Sequence, residues 1–164
     1  MQFSLVAAIS LLASAEAAHL WSGPRAKLVK TKQAVASNYT WTVSGWSAGC
    51  ARAGCYYDFN ISAPAFSESV PAFNAYCSGF GEGAPYDDCQ ILDDNRNPHQ
   101  VAARLQAVNT TGTGAHLAVS YEFADPTADG TYWNYTAYTV SSYNQFVAPL
   151  LTFNMEPTEI WGVA

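Results

Sequence analysis

The residues whose type and spacing point most directly to chemistry are the four cysteines of this 164-residue chain, Cys50, Cys55, Cys77 and Cys89. In an oxidising compartment such cysteines form disulfides that cross-link small secreted domains. Zinc binding is the rival use, but the Cys-x-x-Cys spacing typical of structural zinc sites is absent. Four cysteines allow three pairings. The strand pattern favours the local pairs, Cys50 with Cys55 and Cys77 with Cys89, although sequence alone leaves the choice open.

A catalytic triad is the next arrangement to consider. His116, Ser120 and Glu122 share one face of a predicted strand. At about 3.3 Å per residue, His116 and Ser120 stand roughly 13 Å apart, which is beyond hydrogen-bonding reach. We therefore interpret the three residues as a solvated strand face. Of the other histidines, His99 follows a proline in a predicted loop and His19 lies near the expected mature N-terminus.

Part of the acidic region imitates a calcium-binding loop. Asp93, Asn95 and Asn97 occupy the spacing of the first ligands, but Pro98 stands where glycine is needed and Arg104 where glutamate is needed. The motif therefore fails, and we predict no metal site. We interpret the wider acidic cluster as a solvated loop; it comprises Asp87, Asp88, Asp93 and Asp94.

Motifs of the common enzyme classes are missing. The sequence contains no Gly-x-Ser-x-Gly, no His-Glu-x-x-His and no phosphate-binding glycine loop. A glycosidase needs two carboxylates that face each other across a cleft, and no motif in the sequence identifies such a pair. We expect a protein without catalysis or cofactor, and a hydrolase with scattered carboxylates remains a third interpretation. Its candidate carboxylates are Asp58, Glu68, Glu82 and Glu122.

Aromatic residues are abundant, with ten tyrosines, eight phenylalanines and five tryptophans. Exposed aromatic rings can stack on a sugar or on a partner protein. We select Trp46, Tyr56, Trp133 and Tyr135 as candidate surface contacts. The alternative for each is a place in the core or in a cross-strand pair, which is the commoner role of such residues in β proteins.

Residues 1–17 have the form of a secretory signal peptide. An apolar run that begins at Phe3 ends in a small-x-small triplet, so we predict cleavage after Ala17. The run is shorter than the roughly 20 apolar residues that span a bilayer. Four Asn-x-Ser/Thr sequons predict N-glycosylation of a secreted, extracellular protein. They begin at Asn38, Asn60, Asn109 and Asn134.

Charge is distributed unevenly along the chain. Four of the seven basic residues precede Gln33, and the chain from Gln33 onward contains 12 acidic and three basic residues. Such an acidic body repels phosphate backbones and anionic lipids, so we expect neither nucleic acid nor membrane insertion. Residues 18–37 form a basic arm, which we interpret as a propeptide, a contact for the acidic body or, preferably, a disordered tail. Residues 38–164 form the β domain, which we expect to be a monomer.

Period-two alternation of apolar and polar residues predicts strands, and helical periodicity is absent. The clearest strands are predicted at Tyr39–Ser44, Cys55–Ser62 and His116–Phe123. Weaker strands are predicted at residues 71–77, 101–108, 132–140 and 150–155, with turn-forming residues between them. This pattern predicts an all-β domain, a single compact antiparallel β-barrel or β-sandwich with two disulfides.

Three segments carry a resemblance to a known group of proteins. They are Tyr39–Trp46, the Cys50-x4-Cys55 pair with the Tyr-Tyr-Asp-Phe-Asn-Ile-Ser that follows it, and Pro71–Gly79 with Cys89. Together they resemble small fungal secreted proteins, which include hypersensitive-response-inducing elicitors and, more distantly, relatives of the major Alternaria allergen. The resemblance covers about the first half of the mature domain. The allergen pattern has a late disulfide, whereas no cysteine follows Cys89 here, so no binding residue is carried over.

The resemblance implies a compact disulfide-linked β-barrel without known catalysis. It also implies a secreted effector or elicitor that plant tissue recognises and answers with cell death or defence responses. The expected partner is a host protein or a cell-wall component. The alternative function is an extracellular binding module for cell-wall glycan or a small apolar ligand.

Overall fold

The alternating sequence forms eleven strands and no helix in the part of the chain that the structure describes. This computed structural model describes residues 28–29, 38–107 and 114–163. The predicted signal peptide, most of the basic arm and Asn109 lie outside those residues. No described segment is a helix long and apolar enough to cross a bilayer. The strands are β1 Leu28–Val29, β2 Trp41–Ala51, β3 Gly54–Ala63, β4 Phe73–Phe80, β5 Asp87–Asp88, β6 Gln90–Ile91, β7 His99–Leu105, β8 Gly114–Ala124, β9 Tyr132–Ser142, β10 Leu151–Met155 and β11 Pro157–Val163.

Two antiparallel sheets pack face to face. The six-stranded sheet has the order β1-β11-β9-β8-β7-β5, and the five-stranded sheet has the order β10-β2-β3-β4-β6. The sheets do not close on each other. The all-β prediction is therefore confirmed, and of the two predicted architectures the fold is the sandwich.

The inner faces of both sheets form one aromatic core. Trp41, Phe59 and Tyr121 are fully buried, and the Tyr121 ring lies 4.2 Å from that of Phe73. The Tyr57 hydroxyl donates a hydrogen bond of 2.8 Å to the carbonyl of Ala103 on the opposite sheet. This bond joins the two layers and gives a buried hydroxyl the partner it needs.

Both predicted disulfides are confirmed. Cys50 pairs with Cys55 at the turn between β2 and β3, and we call this the hairpin bridge. Cys77 pairs with Cys89 and joins β4 to the segment between β5 and β6, and we call this the loop bridge. Disulfides are compatible with an extracellular or otherwise oxidising compartment. Both bridges lie within or beside the five-stranded sheet, and Cys77 of the loop bridge is fully buried in the core.

A β-bulge in β2 corrects the prediction for Trp46. Ser44 pairs with Asn60 and Ser47 pairs with Asp58, so β2 has one residue more than β3 between these pairs. Gly45 takes up the extra residue with φ of 65°, a conformation that glycine adopts readily. The added residue reverses the alternation, and Trp46 is turned into the core, where it is fully buried. The expected surface contact at Trp46 is therefore wrong.

Candidate functional site

The outer face of the six-stranded sheet contains a groove with a floor of small residues. Ala102, Ser120 and Thr136 form one row across β7, β8 and β9. A depression of about 190 Å³ opens above Ala102 and Ser120. A second depression of about 220 Å³ adjoins it, and the two share Gln100 and Glu122. We call the two depressions together the outer groove.

Tyrosines and acidic residues form the walls of the outer groove. Tyr86 and Asp88 line one depression, and Tyr132 lines the other. The guanidinium carbon of Arg104 lies 4.4 Å from the centre of the Tyr86 ring, a cation–π contact that fixes this wall. Burial raises the pKa of Tyr86 although the charge of Arg104 opposes the shift. Tyr86 is therefore a neutral hydroxyl donor at physiological pH.

Asn134 lies beside the outer groove on β9, at the centre of a hydrogen-bond network. Its Oδ1 accepts bonds from Ser120 Oγ at 3.0 Å and from Thr136 Oγ1 at 3.2 Å. Across the sheet, Asn134 pairs with Glu122 on one side and Trp161 on the other. Carboxylates, amides and tyrosine rings on a rigid pleated floor suit a neutral ligand with many hydroxyl groups, since polar atoms can bind the hydroxyls and rings can cover apolar faces.

A second exposed feature lies on the outer face of the five-stranded sheet. The rings of Tyr56 and Phe146 are stacked, with their centres 5.2 Å apart. Tyr56 pairs across the sheet with Phe80, which is 54% exposed, and Phe146 is 55% exposed. Val147, the next residue, is 67% exposed. We call Tyr56, Phe80, Phe146 and Val147 the aromatic ledge.

The loop between β9 and β10 is fixed at the edge of β2. Asn144 Oδ1 accepts a hydrogen bond of 2.9 Å from the Ala48 amide, and Asn144 Nδ2 donates one of 2.8 Å to the Trp46 carbonyl. The Gln145 amide donates to the Ala48 carbonyl at 2.8 Å. Gln145 and Phe146 have φ of 48° and 62°, a region that side-chain-bearing residues rarely occupy. The loop therefore presents Phe146 outward at a conformational cost, which its contacts with β2 offset.

The structure divides the remaining candidate aromatics between two roles. Tyr56 belongs to the aromatic ledge. Trp133 and Tyr135 are half-buried and pack against the core, where Tyr135 contacts the rings of Tyr39 and Phe123. Both rings therefore take the alternative role of packing against the core, and a surface contact through their exposed parts stays a prediction.

The two histidines among the described residues, His99 and His116, lie on strands of the six-stranded sheet. His116, Ser120 and Glu122 lie along β8, as the sequence predicts, and Ser120 donates its hydrogen to Asn134. His99 begins β7, where its Nδ1 lies 2.7 Å from the Asn97 carbonyl and its Nε2 lies 3.3 Å from Asp93 Oδ2. This contact was not predicted.

Asp93 organises a turn. Its carboxylate accepts hydrogen bonds from the backbone amides of Asn74 at 2.7 Å and Asn95 at 3.0 Å. Burial raises its pKa, but these bonds and the nearby His99 outweigh that effect, so the pKa lies below its ordinary value. Among the described residues, the one group with metal-ligand geometry is Cys50, Cys55 and Glu82. Its two sulfurs are already joined as the hairpin bridge.

The described sequons differ in their surroundings. Asn38 and Asn60 are exposed, whereas Asn134 is half-buried beside the outer groove. Glycan occupancy at all four sites stays a prediction.

Sequence reasoning selected Glu122 and Asn134 but missed Tyr86, Gln100 and Asn144, because their roles depend on contacts between segments that lie far apart in the chain.

No protein-family model, no curated protein and no solved structure matches this chain.

Proposed function

We propose that this protein is a secreted effector or elicitor that plant tissue perceives through contacts with its exterior, without catalysis. The observation that carries this proposal is the aromatic ledge, which a disulfide-braced sheet holds in a fixed position. Large exposed apolar patches are uncommon on soluble monomers and mark interaction surfaces.

The chemistry of the aromatic ledge favours a protein partner. Its side chains are aromatic or aliphatic, and aromatic anchors contribute most of the energy at protein interfaces. The stacked Tyr56–Phe146 pair loses little side-chain freedom on binding, because the loop already fixes Phe146. The resemblance of the first half of the domain to fungal elicitors adds a class of partner, a host plant component.

Infiltration of purified protein into leaves tests the proposal. We expect cell death, an oxidative burst or defence-gene induction, and we expect the response to vanish after heating with reductant. Absence of all three responses across several plant species would contradict it. Size-exclusion chromatography coupled to light scattering checks the competing explanation that the ledge pairs two copies of this chain.

A second function, binding of cell-wall saccharide, is favoured by the outer groove. Gln100, Glu122 and Asp88 offer hydrogen-bond partners above a floor of small residues, and Tyr86 and Tyr132 offer ring surfaces. The carboxylates disfavour anionic ligands, so the suitable ligand is a neutral oligosaccharide.

Pull-down on chitin, β-glucan and cellulose tests this second function. For protein produced without N-glycans, we expect retention of the wild type and at least a tenfold weaker affinity for Tyr132→Ala, with the exposed Leu92→Ala as the control. Equal retention of the two variants would contradict a site in the outer groove. Release of reducing ends by the wild type but not by Glu122→Gln would instead support the hydrolase interpretation.

A further inference from the structure

We propose that an N-glycan attached to Asn134 covers the outer groove, so that the groove is open to an external saccharide only when Asn134 is unmodified. The effect on external saccharides rests on the proposed saccharide-binding function, whereas the covering of the groove by the glycan does not.

The position of Asn134 supports the first step. The side chains of Tyr132, Asn134, Thr136 and Tyr138 alternate onto the outer face of β9. Neighbouring strands are about 4.8 Å apart, so a sugar on Asn134 that lies along the sheet covers Glu122 on β8 or Trp161 on β11. Since Glu122 is shared by both depressions, a sugar on that side enters the outer groove directly.

The local hydrogen bonds are compatible with the modification. In N-glycosylation the side-chain nitrogen loses one proton and bonds to the anomeric carbon of the sugar, while the lipid diphosphate of the activated donor leaves. The linkage uses Asn134 Nδ2 and leaves Oδ1 free to accept. The bonds from Ser120 and Thr136 to Oδ1 therefore persist and fix the direction of the first sugar.

The surroundings offer that sugar a binding surface. Tyr132 and Tyr138 lie on the same strand face as Asn134 and are 46% and 36% exposed. Tyr138 donates a hydrogen bond of 3.1 Å to Glu159, which holds its ring in place. Asn60 differs in that its neighbours across the sheet, Ser44 and Tyr76, line neither depression of the outer groove.

Asn60 therefore provides a matched control on the other sheet. Thr136→Val removes the sequon at Asn134 while it keeps Asn134 and nearly the same shape at position 136. Ser62→Ala removes the sequon at Asn60. Asn134→Gln gives a second variant without the Asn134 sequon, in case loss of the buried hydroxyl in Thr136→Val disturbs folding.

Glycopeptide mass spectrometry and hydroxyl-radical footprinting of protein secreted from a eukaryotic host test the proposal. We expect Asn134 to be occupied in the wild type. We also expect Tyr132 and Tyr138 to be labelled several-fold less in the wild type and in Ser62→Ala than in the two variants that lack the Asn134 sequon. An unoccupied Asn134, or equal labelling of these tyrosines with an occupied Asn134, would overturn the proposal.

A binding assay with chitin and β-glucan oligosaccharides distinguishes the covering of the outer groove from the proposed saccharide-binding function. We expect at least tenfold tighter binding by Thr136→Val than by the glycosylated wild type. Protection of the tyrosines together with no binding by any variant supports the covering of the groove and refutes the saccharide function. Binding by the glycosylated wild type that equals binding by Thr136→Val refutes the covering.

Discussion

Asn144 gives the sharpest test of how the aromatic ledge is positioned. Asn144→Ala removes both side-chain hydrogen bonds to β2 and leaves the Ala48 amide and the Trp46 carbonyl without these partners. Each buried polar group that loses its partner costs about 1–3 kcal/mol, so we expect a loss of about 3 kcal/mol in the free energy of unfolding. For a domain of this size that loss corresponds to a fall in Tm of about 10 °C.

Asn154→Ala is the matched control. Asn154 makes one exposed contact of 3.3 Å with Thr42 on the same sheet edge, so its loss should cost less than about 0.5 kcal/mol. Urea unfolding followed by tryptophan fluorescence measures both variants. Equal stabilities of Asn144→Ala and Asn154→Ala would refute the view that Asn144 anchors the loop.

Three further predictions concern the fold. Tyr57→Phe removes the hydrogen bond between the sheets and should cost about 1–2 kcal/mol in urea unfolding. Because the folded pKa of Asp93 lies below the unfolded value of about 3.9, its stabilising contribution should be complete above about pH 5 and lost as the pH falls through the folded pKa. Asp93→Asn should remove this part of the acid dependence in thermal melts. Replacing both cysteines of the loop bridge by serine should cost about 3 kcal/mol and the same change in the hairpin bridge about 2 kcal/mol, since the bridges close 12 and 5 residues.

Most of the fold could be predicted because local patterns encode it. The inward side chains of β3 and β8 alternate without interruption, and both strands were predicted. The same pattern favoured the local disulfide pairs without deciding between the three pairings, and the hairpin of β2 and β3 places Cys50 opposite Cys55. By contrast, the sequence analysis missed β11, which begins at Pro157 and contains a glycine, because both residue types are weak strand formers. This strand forms through its pairing with β9.

The candidate sites were harder to predict because they depend on a β-bulge and on contacts between distant residues, and the local alternation of apolar and polar residues indicates neither. One extra residue at Gly45 turned Trp46 from the outer to the inner face. The aromatic ledge joins Tyr56 to Phe146, which lie 90 positions apart, and the outer groove joins β7 to β8. Neither juxtaposition has a periodic signature in the sequence.

Leaf infiltration with a ledge variant tests the central claim most directly. Phe146→Asn with Val147→Ser removes the most exposed part of the ledge and suits the left-handed backbone at position 146, where asparagine is tolerated well. Leu92→Ser with Val140→Ser removes a similar exposed apolar surface elsewhere. We predict that the ledge variant keeps its Tm and loses the cell-death response while the control pair retains it. A ledge variant as active as the wild type would contradict the account.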